Sequence, residues 1–376
     1  MLSDTVIFGL PIGGYSNLEI AGLNLLLSWR NRFQSASLYP LSDLSSATDA
    51  LRWSQIADVV ENSEQFRVQF LKYLEDVDVS APQALSVPYP VLHRLGEDLE
   101  LSFLEKNTLL CGTPNIGFAD FIITDLQADA VRRANLFSQI VAPSEWSKDI
   151  LSGSDIYNVE VVTGGVDKAL FFPHAKSDLF SGRFVVYSAG SEGYSGGYDL
   201  VLKAFELFNQ AHPDSLLISS WPSRPFIYGE GIEPEDFTVS DNIIDIGEVP
   251  YSSRPYIIRE ADIAVFPSRA SASNCRETEC MACGIPVILS DNTSHKKLIK
   301  GDNSLVLGSR NFIGGERFLG WSESDVEEIL GALEFAYLNR DKVKTIGDEG
   351  CLSVSGYSWE AYADKIEKII FSSYGS

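Results

Sequence analysis

The feature that most constrains the fold is an alternation of short apolar strands with amphipathic helices, which runs along the chain twice. One series starts with a strand over 5–10, and another starts with a strand over 183–188, after a Gly-Gly turn at 164–165. Such alternation is typical of parallel sheets, because two parallel neighbours need a long crossover that usually contains a helix. The sequence therefore predicts an α/β protein with two Rossmann-like parallel-sheet domains, joined near residues 164–175 and facing a central cleft.

The hydrophobic pattern also predicts the individual elements. In the first half, strands are predicted at 5–10, 107–111, 121–124, 138–142 and 158–163, and helices at 18–29, 66–74 and 144–150. In the second half, strands are predicted at 183–188, 215–219, 242–246, 262–266 and 285–289, and helices at 198–211, 252–260, 276–283, 322–339 and 358–370. The chain has 376 residues, which suits two domains of ordinary size.

The charge balance is strongly acidic and excludes one class of partner. There are 52 Asp and Glu against 29 Lys and Arg, a formal net charge of −23. A field of that sign repels polyanions, so we expect no nucleic acid partner.

The N-terminal residues and the cysteines indicate the compartment. The start, MLSDTVIFGLPIGG, has no basic segment and only a short apolar run, so we expect no signal peptide and no integral membrane segment. Five scattered cysteines suit a reducing cytosol, and a cytoplasmic location is predicted. Cys280 and Cys283 have metal-like spacing but lie in an apolar helical run without a second pair, so no metal site is expected.

Four segments, taken together and in their order along the chain, indicate a resemblance to a known family. They are QIVAPSEWSK at 139–148, VVTGGVDKALFFP at 161–173, RFVVYSAGSEGYSGGYDLVLKAF at 183–205, and DIAVFPSRASASNCRETECMACGIPVILS at 262–290. Together they resemble the family 4 retaining glycosyltransferases of the "glycosyl transferases group 1" type, which have the GT-B fold. The resemblance is good over residues 135–300 and weak over the first 130.

The resemblance implies a division of labour between two domains. Residues 1–165 would form an acceptor domain, with the terminal helix 358–372 packed back on it, and residues 175–355 would bind a nucleoside diphosphate sugar. The implied reaction moves a hexose to a hydroxyl of a glycan, a lipid-linked sugar or a small molecule, with retention and with no metal or other cofactor. The donor base, the sugar and the acceptor are not defined by the sequence, and homo-oligomerisation is left open.

Two candidate catalytic residues follow. Glu279 matches the second glutamate of the family's E-x7-E motif, which faces the donor ribose and sugar; alternatively it is a charge favoured near a helix start. His93, in VPYPVLHRLG, is placed where the first domain could present it to an acceptor or sugar; alternatively it is a buried or capping histidine.

The candidate donor-binding residues lie in the glycine loops and in the loop before Glu279. They are Gly13, Gly14, Gly190, Gly196, Gly197, Arg269, Ser271, Asn274 and Arg276. Glycines let the backbone approach phosphates. Asp199 matches the aspartate of the family's Lys-Gly-x-Asp segment, or else it is a helix-start cap.

The chain departs from the family pattern at the residues that carry charge. Ser271 occupies the position of the first glutamate of E-x7-E, and Ser195 and Gly196 occupy the position of the family's basic pair. Losing such a contact to a leaving diphosphate costs on the order of 3 kcal/mol. Candidate substitutes are Lys168 and the two arginines of the donor-binding set. The alternatives are therefore a degenerate GT-B protein that binds without transfer, or another GT-B reaction such as sugar-nucleotide epimerisation.

The remaining motifs favour neither the other, metal-dependent glycosyltransferase fold nor another enzyme class. Asp76-Val77-Asp78 resembles the DxD metal motif of the other major glycosyltransferase fold, but it follows a helical run and is interpreted as a solvated turn. The sequence contains no G-x-G-x-x-G fingerprint and no Walker A loop.

Overall fold

The computed structural model describes residues 5–38, 50–75, 83–101, 108–177, 179–190, 194–221 and 241–374. The chain divides into two compact units. The first contains Met1–Gly165, Pro250–Ser252 and Trp359–Ser376, and the second contains Val166–Val249 and Ser253–Ser358. The Asp76-Val77-Asp78 motif lies outside the described residues.

The first unit contains a six-stranded parallel sheet in the order β2-β1-β4-β6-β7-β8, and a separate parallel pair, β3-β5. Its strands are β1 Thr5–Gly9, β2 Gln34–Ser37, β3 Gln83–Ser86, β4 Val91–Leu95, β5 Thr108–Cys111, β6 Asn115–Ala119, β7 Gln139–Ala142 and β8 Val159–Val161. Its helices are α1 Asn17–Trp29, α2 Ala50–Gln55, α3 Ala57–Glu75, α4 Ala128–Ala134 and α5 Glu145–Gly153, together with the terminal helix Trp359–Ser372.

Helix α1 starts at a capping box. The hydroxyl of Ser16 accepts a hydrogen bond from the N–H of Glu19 at 3.2 Å, and the Glu19 carboxylate accepts one from the N–H of Ser16 at 3.0 Å. These bonds satisfy donors that a helix start otherwise leaves unpaired. The terminal helix packs against α1, and beyond the end of α1 Arg32 pairs with Asp364 at 3.0 Å and Glu367 at 2.7 Å.

The strand predicted at 121–124 is wrong, and the strand lies at Asn115–Ala119 instead. The apolar run after it is buried without joining the sheet. The N–H groups of Ile122 and Ile123 each donate to the carboxylate of Glu97 at 3.1 Å. Because this carboxylate satisfies the two donors, the segment needs no neighbouring strand.

The second unit contains a six-stranded parallel sheet in the order β11-β10-β9-β12-β13-β14, and an antiparallel hairpin, β15-β16. Its strands are β9 Phe184–Ala189, β10 Ser215–Ser220, β11 Ile243–Asp245, β12 Ile263–Phe266, β13 Val287–Ser290, β14 Leu305–Leu307, β15 Asn311–Phe312 and β16 Ser322–Glu323. Its helices are α6 Tyr198–Ala211, α7 Arg254–Ile258, α8 Cys275–Ala282, α9 His295–Leu298, α10 Val326–Leu338 and α11 Arg340–Ser353.

The core of the second unit lies between its sheet and helices α6 and α10. Phe205 and Phe208 of α6 are 1% and 0% exposed, and they pack with Val186 of β9, Val265 of β12 and Leu333 of α10. Burial of each such large side chain stabilises the fold by about 1.5–3 kcal/mol. The two parallel sheets confirm the predicted α/β class with two Rossmann-like domains.

The helix predicted at 322–339 begins later, at Val326. Ser322 and Glu323 form the second strand of the hairpin, and polar contacts hold the residues that follow. The hydroxyl of Ser324 lies 3.0 Å from that of Ser290, and the N–H of Asp325 donates to Ser309 Oγ at 2.7 Å. Among the described residues, no helix has both the length and the hydropathy that a membrane span requires.

Candidate active site

The glycine-rich turn after β9 is shaped by packing inside the second unit. A Cβ on Gly190 would lie 2.5 Å from the ring of Trp221, and one on Gly197 would lie 2.3 Å from the carbonyl oxygen of Pro267. Gly197 also has a φ of 75° at the start of α6, a backbone conformation that favours glycine. Gly196, between them, is buried. Gly190 and Gly197 are therefore required by packing, whether or not a ligand is bound.

Arg269 is the centre of a buried ion network. Its guanidinium donates to both oxygens of Asp199, at 2.7 and 2.8 Å, and to Glu323 Oε2 at 2.6 Å. It also donates to the carbonyl of Tyr194 at 2.9 Å and lies 3.7 Å from the centroid of that ring. The side chain is 2% exposed. The prediction that Arg269 contacts the donor has no support in these contacts, because two carboxylates already bind its guanidinium.

The same bonds explain Asp199. The residue lies in the first turn of α6, but its carboxylate pairs with Arg269 rather than capping the helix. Since Arg269 follows β12 and Asp199 follows β9, this pair joins the first turn of α6 to the loop after β12 at the carboxyl edge of the sheet. Ligands bind at this edge in open parallel sheets.

Ser271 and Asn274 form the loop between β12 and α8. The N–H of Ser271 donates to Thr293 Oγ1 at 3.0 Å, and the Asn274 side chain exchanges hydrogen bonds with Ser294, at 3.0 and 2.6 Å. Asn274 is also the residue that precedes α8, and its side chain makes no capping bond there. These contacts hold the loop against the segment that follows β13. The loop therefore has a fixed shape beside the start of α8.

Glu279 lies on α8 and is 2% exposed. Its Oε1 accepts a hydrogen bond from Arg254 Nη1 at 3.1 Å, and its Oε2 lies 3.6 Å from Arg276 Nη1. Oε2 has no hydrogen-bond partner among the described residues. Burial raises the pKa of Glu279 to about 7; Arg276 opposes this shift and Glu277 adds to it. One carboxylate oxygen is thus held in place, and the other can accept a further donor.

Two partners of this site were missed by sequence reasoning. Arg254 is 1% exposed and also donates to the carbonyl of Val249 at 3.1 Å, but nothing in YSSRPY marks it as a buried cation. Glu277 Oε1 lies 2.9 Å from His295 Nε2, and both side chains are buried. The E-T-E sequence at 277–279 was a usable signal, because two acids this close on a mostly buried helix require partners.

Lys168 and Arg276 behave differently as candidate substitutes for the missing cations. Lys168 Nζ donates to the carbonyl of Ser355 within the second unit. Arg276 is 14% exposed in its side chain and lies beside Glu279. Of the three candidate substitutes, Arg276 is therefore the one positioned next to the carboxylate that the resemblance assigns to the donor.

In the first unit, Gly13 and Gly14 follow the carboxyl end of β1, and both are buried. The N–H of Gly13 donates to the carbonyl of Glu19 at 3.2 Å, and the carbonyl of Gly14 accepts from the N–H of Tyr251 at 3.0 Å. The turn is thus pinned to the start of α1 and to the short Pro250–Ser252 segment of the same unit.

His93 is buried within β4, at 4% exposure. Its Nε2 bonds to Asn115 Oδ1 at 2.9 Å. The Asn115 amide is oriented by two further bonds, from its Nδ2 to the carbonyl of Leu136 and from the N–H of Gly112 to its Oδ1. Nε2 therefore carries the proton in the neutral ring. Burial lowers the pKa of His93 to about 4, although the bond to Asn115 favours protonation. This environment matches the buried alternative for His93.

The comparisons with known proteins agree with this architecture. Residues 183–313 match the family described as "Glycosyl transferases group 1". The O-antigen biosynthesis protein RfbC of Myxococcus xanthus is 24% identical over 229 residues, which cover 58% of this chain. The match spans only 16% of that protein's length.

The fold is similar to that of solved GT-B structures over almost the whole chain. Anabaena Alr3699/HepE, in complex with UDP and glucose, has a TM-score of 0.63 at 13% identity, with 98% of this chain and 99% of that chain covered. Sucrose-phosphate synthase from Thermosynechococcus elongatus has a TM-score of 0.64 at 13% identity, with 99% of each chain covered. The predicted resemblance is confirmed: the chain has the GT-B fold, and its residues 183–313 match the family of group 1 glycosyltransferases.

Proposed function

We propose that this chain is a retaining, metal-independent glycosyltransferase of the cytoplasm. It moves a hexose from a nucleoside diphosphate sugar to a hydroxyl of a glycan, a lipid-linked sugar or a small acceptor. The family match over residues 183–313 supports this, as do the HepE structures, one in complex with UDP and glucose and another with UDP-glucose. In this proposal residues 175–355 bind the donor and residues 1–165 select the acceptor.

The observation that carries the proposal is the half-satisfied carboxylate of Glu279. Arg254 holds one oxygen, and the other has no hydrogen-bond partner among the described residues although it is buried. An unmet buried carboxylate oxygen is costly unless a ligand supplies the donor. The hydroxyl groups of the donor ribose or sugar are such donors.

The diphosphate would lie against the glycine-rich turn and the start of α8. Helix starts carry a partial positive charge that favours anions, and the Asn274 side chain, which precedes α8, makes no capping bond there. Arg276 supplies a full charge nearby. His93 is not part of this proposal, because its ring is buried and bonded to Asn115.

The test is a transfer assay with a panel of UDP and GDP sugars, alongside calorimetric titration of the same donors. Glu279→Gln is compared with Glu206→Gln, which alters an exposed glutamate of the same unit. We expect donor binding and turnover in the natural protein and in Glu206→Gln, and a loss of at least about tenfold in donor affinity in Glu279→Gln. Absence of binding by every nucleotide sugar would refute the proposal.

A degenerate GT-B protein that binds a donor without transfer is the second candidate. It is favoured by the commitment of Arg269 to Asp199 and Glu323, and of Lys168 to Ser355, because neither cation then neutralises a leaving diphosphate. Tight donor binding with no product from any acceptor would support it. Conversion of the donor sugar without acceptor would indicate epimerisation instead.

A further inference from the structure

A cavity of about 510 Å³ lies on the second unit, between the β15-β16 hairpin and the segment that follows β13. Its volume is within the range of about 300–1,000 Å³ that is usual for small-molecule sites. All of its lining residues lie between Asp291 and Ser322, so the cavity belongs to one unit. None of them is among the candidate donor-binding residues.

One wall of the cavity is aromatic, and its Phe312 side chain is open to solvent. Phe312 on β15 is 87% exposed, the most exposed large apolar side chain among the described residues. Phe318 and Trp321 also line the cavity, with their ring centroids 4.9 Å apart in an edge-to-face arrangement. Leu319 adds a half-exposed apolar side chain. Trp321 is buried at 4% exposure, whereas Phe312 and Leu319 expose large apolar side chains at the same cavity, which marks a contact site.

The rest of the lining is polar but has no net charge. Two acids, Asp291 and Glu316, are balanced by two bases, Lys296 and Arg310, and Arg310 pairs with Asp291. This neutrality is notable on a chain with a formal net charge of −23. The cavity thus offers flat apolar faces together with both donors and acceptors, and it does not select for either sign of charge.

We propose that this cavity binds a neutral saccharide. A pyranose ring has one apolar face, which packs on an aromatic ring, and a rim of hydroxyls that both donate and accept hydrogen bonds. That combination matches an aromatic wall beside paired Asp291 and Arg310. An anionic ligand would require an excess of cations, which this lining does not have.

The cavity is tied to the loop that the proposed donor would occupy. Asn292 Nδ2 donates to the carbonyls of Ser268, at 2.8 Å, and Ser322, at 3.1 Å. Glu323, at the end of the hairpin, pairs with Arg269. A saccharide here would be adjacent to the donor loop on the same unit. Its use as part of a glycan acceptor rests on the proposed function, but its binding does not.

The experiment is saturation-transfer NMR of the full chain with the neutral probes maltose, cellobiose and lactose, and with glucose 6-phosphate as the anionic probe. Phe312→Ala removes the exposed aromatic face. Tyr256→Ala is the control, because it removes an aromatic side chain that is 72% exposed on the same unit but does not line the cavity. UDP binding is measured on each variant by calorimetry.

We expect at least one neutral disaccharide to bind, with affinity about fivefold weaker in Phe312→Ala and unchanged in Tyr256→Ala, since one aromatic packing contact is worth about 1 kcal/mol. Failure of all three disaccharides to bind, or binding that Phe312→Ala leaves unchanged, overturns the inference. Binding of glucose 6-phosphate alone also overturns it and indicates an anion site. If UDP binds and no disaccharide does, only the inference that the cavity binds a saccharide is refuted. If a disaccharide binds and UDP does not, only the proposed donor site is refuted.

Discussion

The buried pair of Arg254 and Glu279 allows a prediction that separates an electrostatic role from a packing role. The perturbation is Arg254→Met, which keeps much of the side-chain volume and removes the charge. Arg254 and Glu279 are 1% and 3% exposed in their side chains, and their closest atoms are 3.1 Å apart. Removing one partner of such a pair leaves a buried charge and costs about 3–5 kcal/mol of the free energy of unfolding.

The pH dependence of that loss follows from the raised pKa of Glu279. Without Arg254 the carboxyl has one cation fewer beside it, so it takes up a proton more readily. At pH 8 protonation is costly, and the full loss is expected. At pH 5.5 the carboxyl is protonated in the folded variant, and we expect a loss smaller by roughly 1–2 kcal/mol. The double variant Arg254→Met/Glu279→Gln has no carboxylate at position 279 to be left unpaired when Arg254 is removed. Most of the free energy of unfolding that Arg254→Met loses is therefore expected to return.

The assay is urea unfolding of each variant at pH 8 and pH 5.5, followed by tryptophan fluorescence and far-ultraviolet circular dichroism. Arg32→Met is the control, because Arg32 pairs with two carboxylates at the surface and should contribute about 1 kcal/mol or less. An Arg254→Met loss that is equal at both pH values, or a double variant no more stable than Arg254→Met, would refute the reasoning.

Three further predictions follow from single residues. Donor affinity should fall about tenfold per pH unit below pH 7, because protonation of Glu279 removes the charged acceptor. Titration with a nucleotide sugar, whose diphosphate does not titrate in this range, tests this. The same pH profile in Glu279→Gln as in the natural protein would contradict it. His93 has its pKa lowered by burial, so the unfolded chain binds a proton that the folded chain excludes, and stability is lost as the pH falls from 6.5 towards 4. Urea unfolding at pH 7 and 4.5 should show a drop about 2–3 kcal/mol smaller in His93→Gln than in the natural protein, and equal drops would disprove the assignment. Gly197→Ala should lower the free energy of unfolding by about 1–3 kcal/mol more than Gly182→Ala. Both glycines have positive φ, but only a Cβ at 197 would lie against the carbonyl of Pro267. Thermal unfolding measures the difference, and equal losses would show that this contact relaxes freely.

The fold could be predicted largely because both sheets are made of apolar strands separated by helices with clear periodicity. Strand β4 was missed although it lies between β1 and β6 in the first sheet. The prolines just before this strand are typical of a loop, and His93 and Arg94 interrupt its apolar run. The hairpin was missed because each of its strands is only two residues long, which is too short for a period to be visible.

The candidate site was less accessible to sequence reasoning, because charge partners are distant in sequence. The segment around Glu279 could be found from its motif, but Arg254 lies 25 residues away. Arg269 was identified as a cation near the donor loop, whereas its partners Asp199 and Glu323 are 70 and 54 residues away. A motif gives the type of residue at a position, and the partner that neutralises it depends on the tertiary structure.

The distribution of these pairs bears on where a diphosphate would be held. At the start of α6, Arg269 is shared by Asp199 and Glu323, and Lys203 lies 3.9 Å from Asp199, so two cations match the two acids. At α8 the cations are in excess, because Arg254 and Arg276 both face Glu279, and Glu277 is bonded to His295 instead. The family that the sequence resembles has its cations in the glycine-rich turn, whereas this chain has its arginine excess around Glu279. Since anions are stabilised where cations and the N-terminus of a helix coincide, the proposed leaving group is better supported by the start of α8 than by that turn.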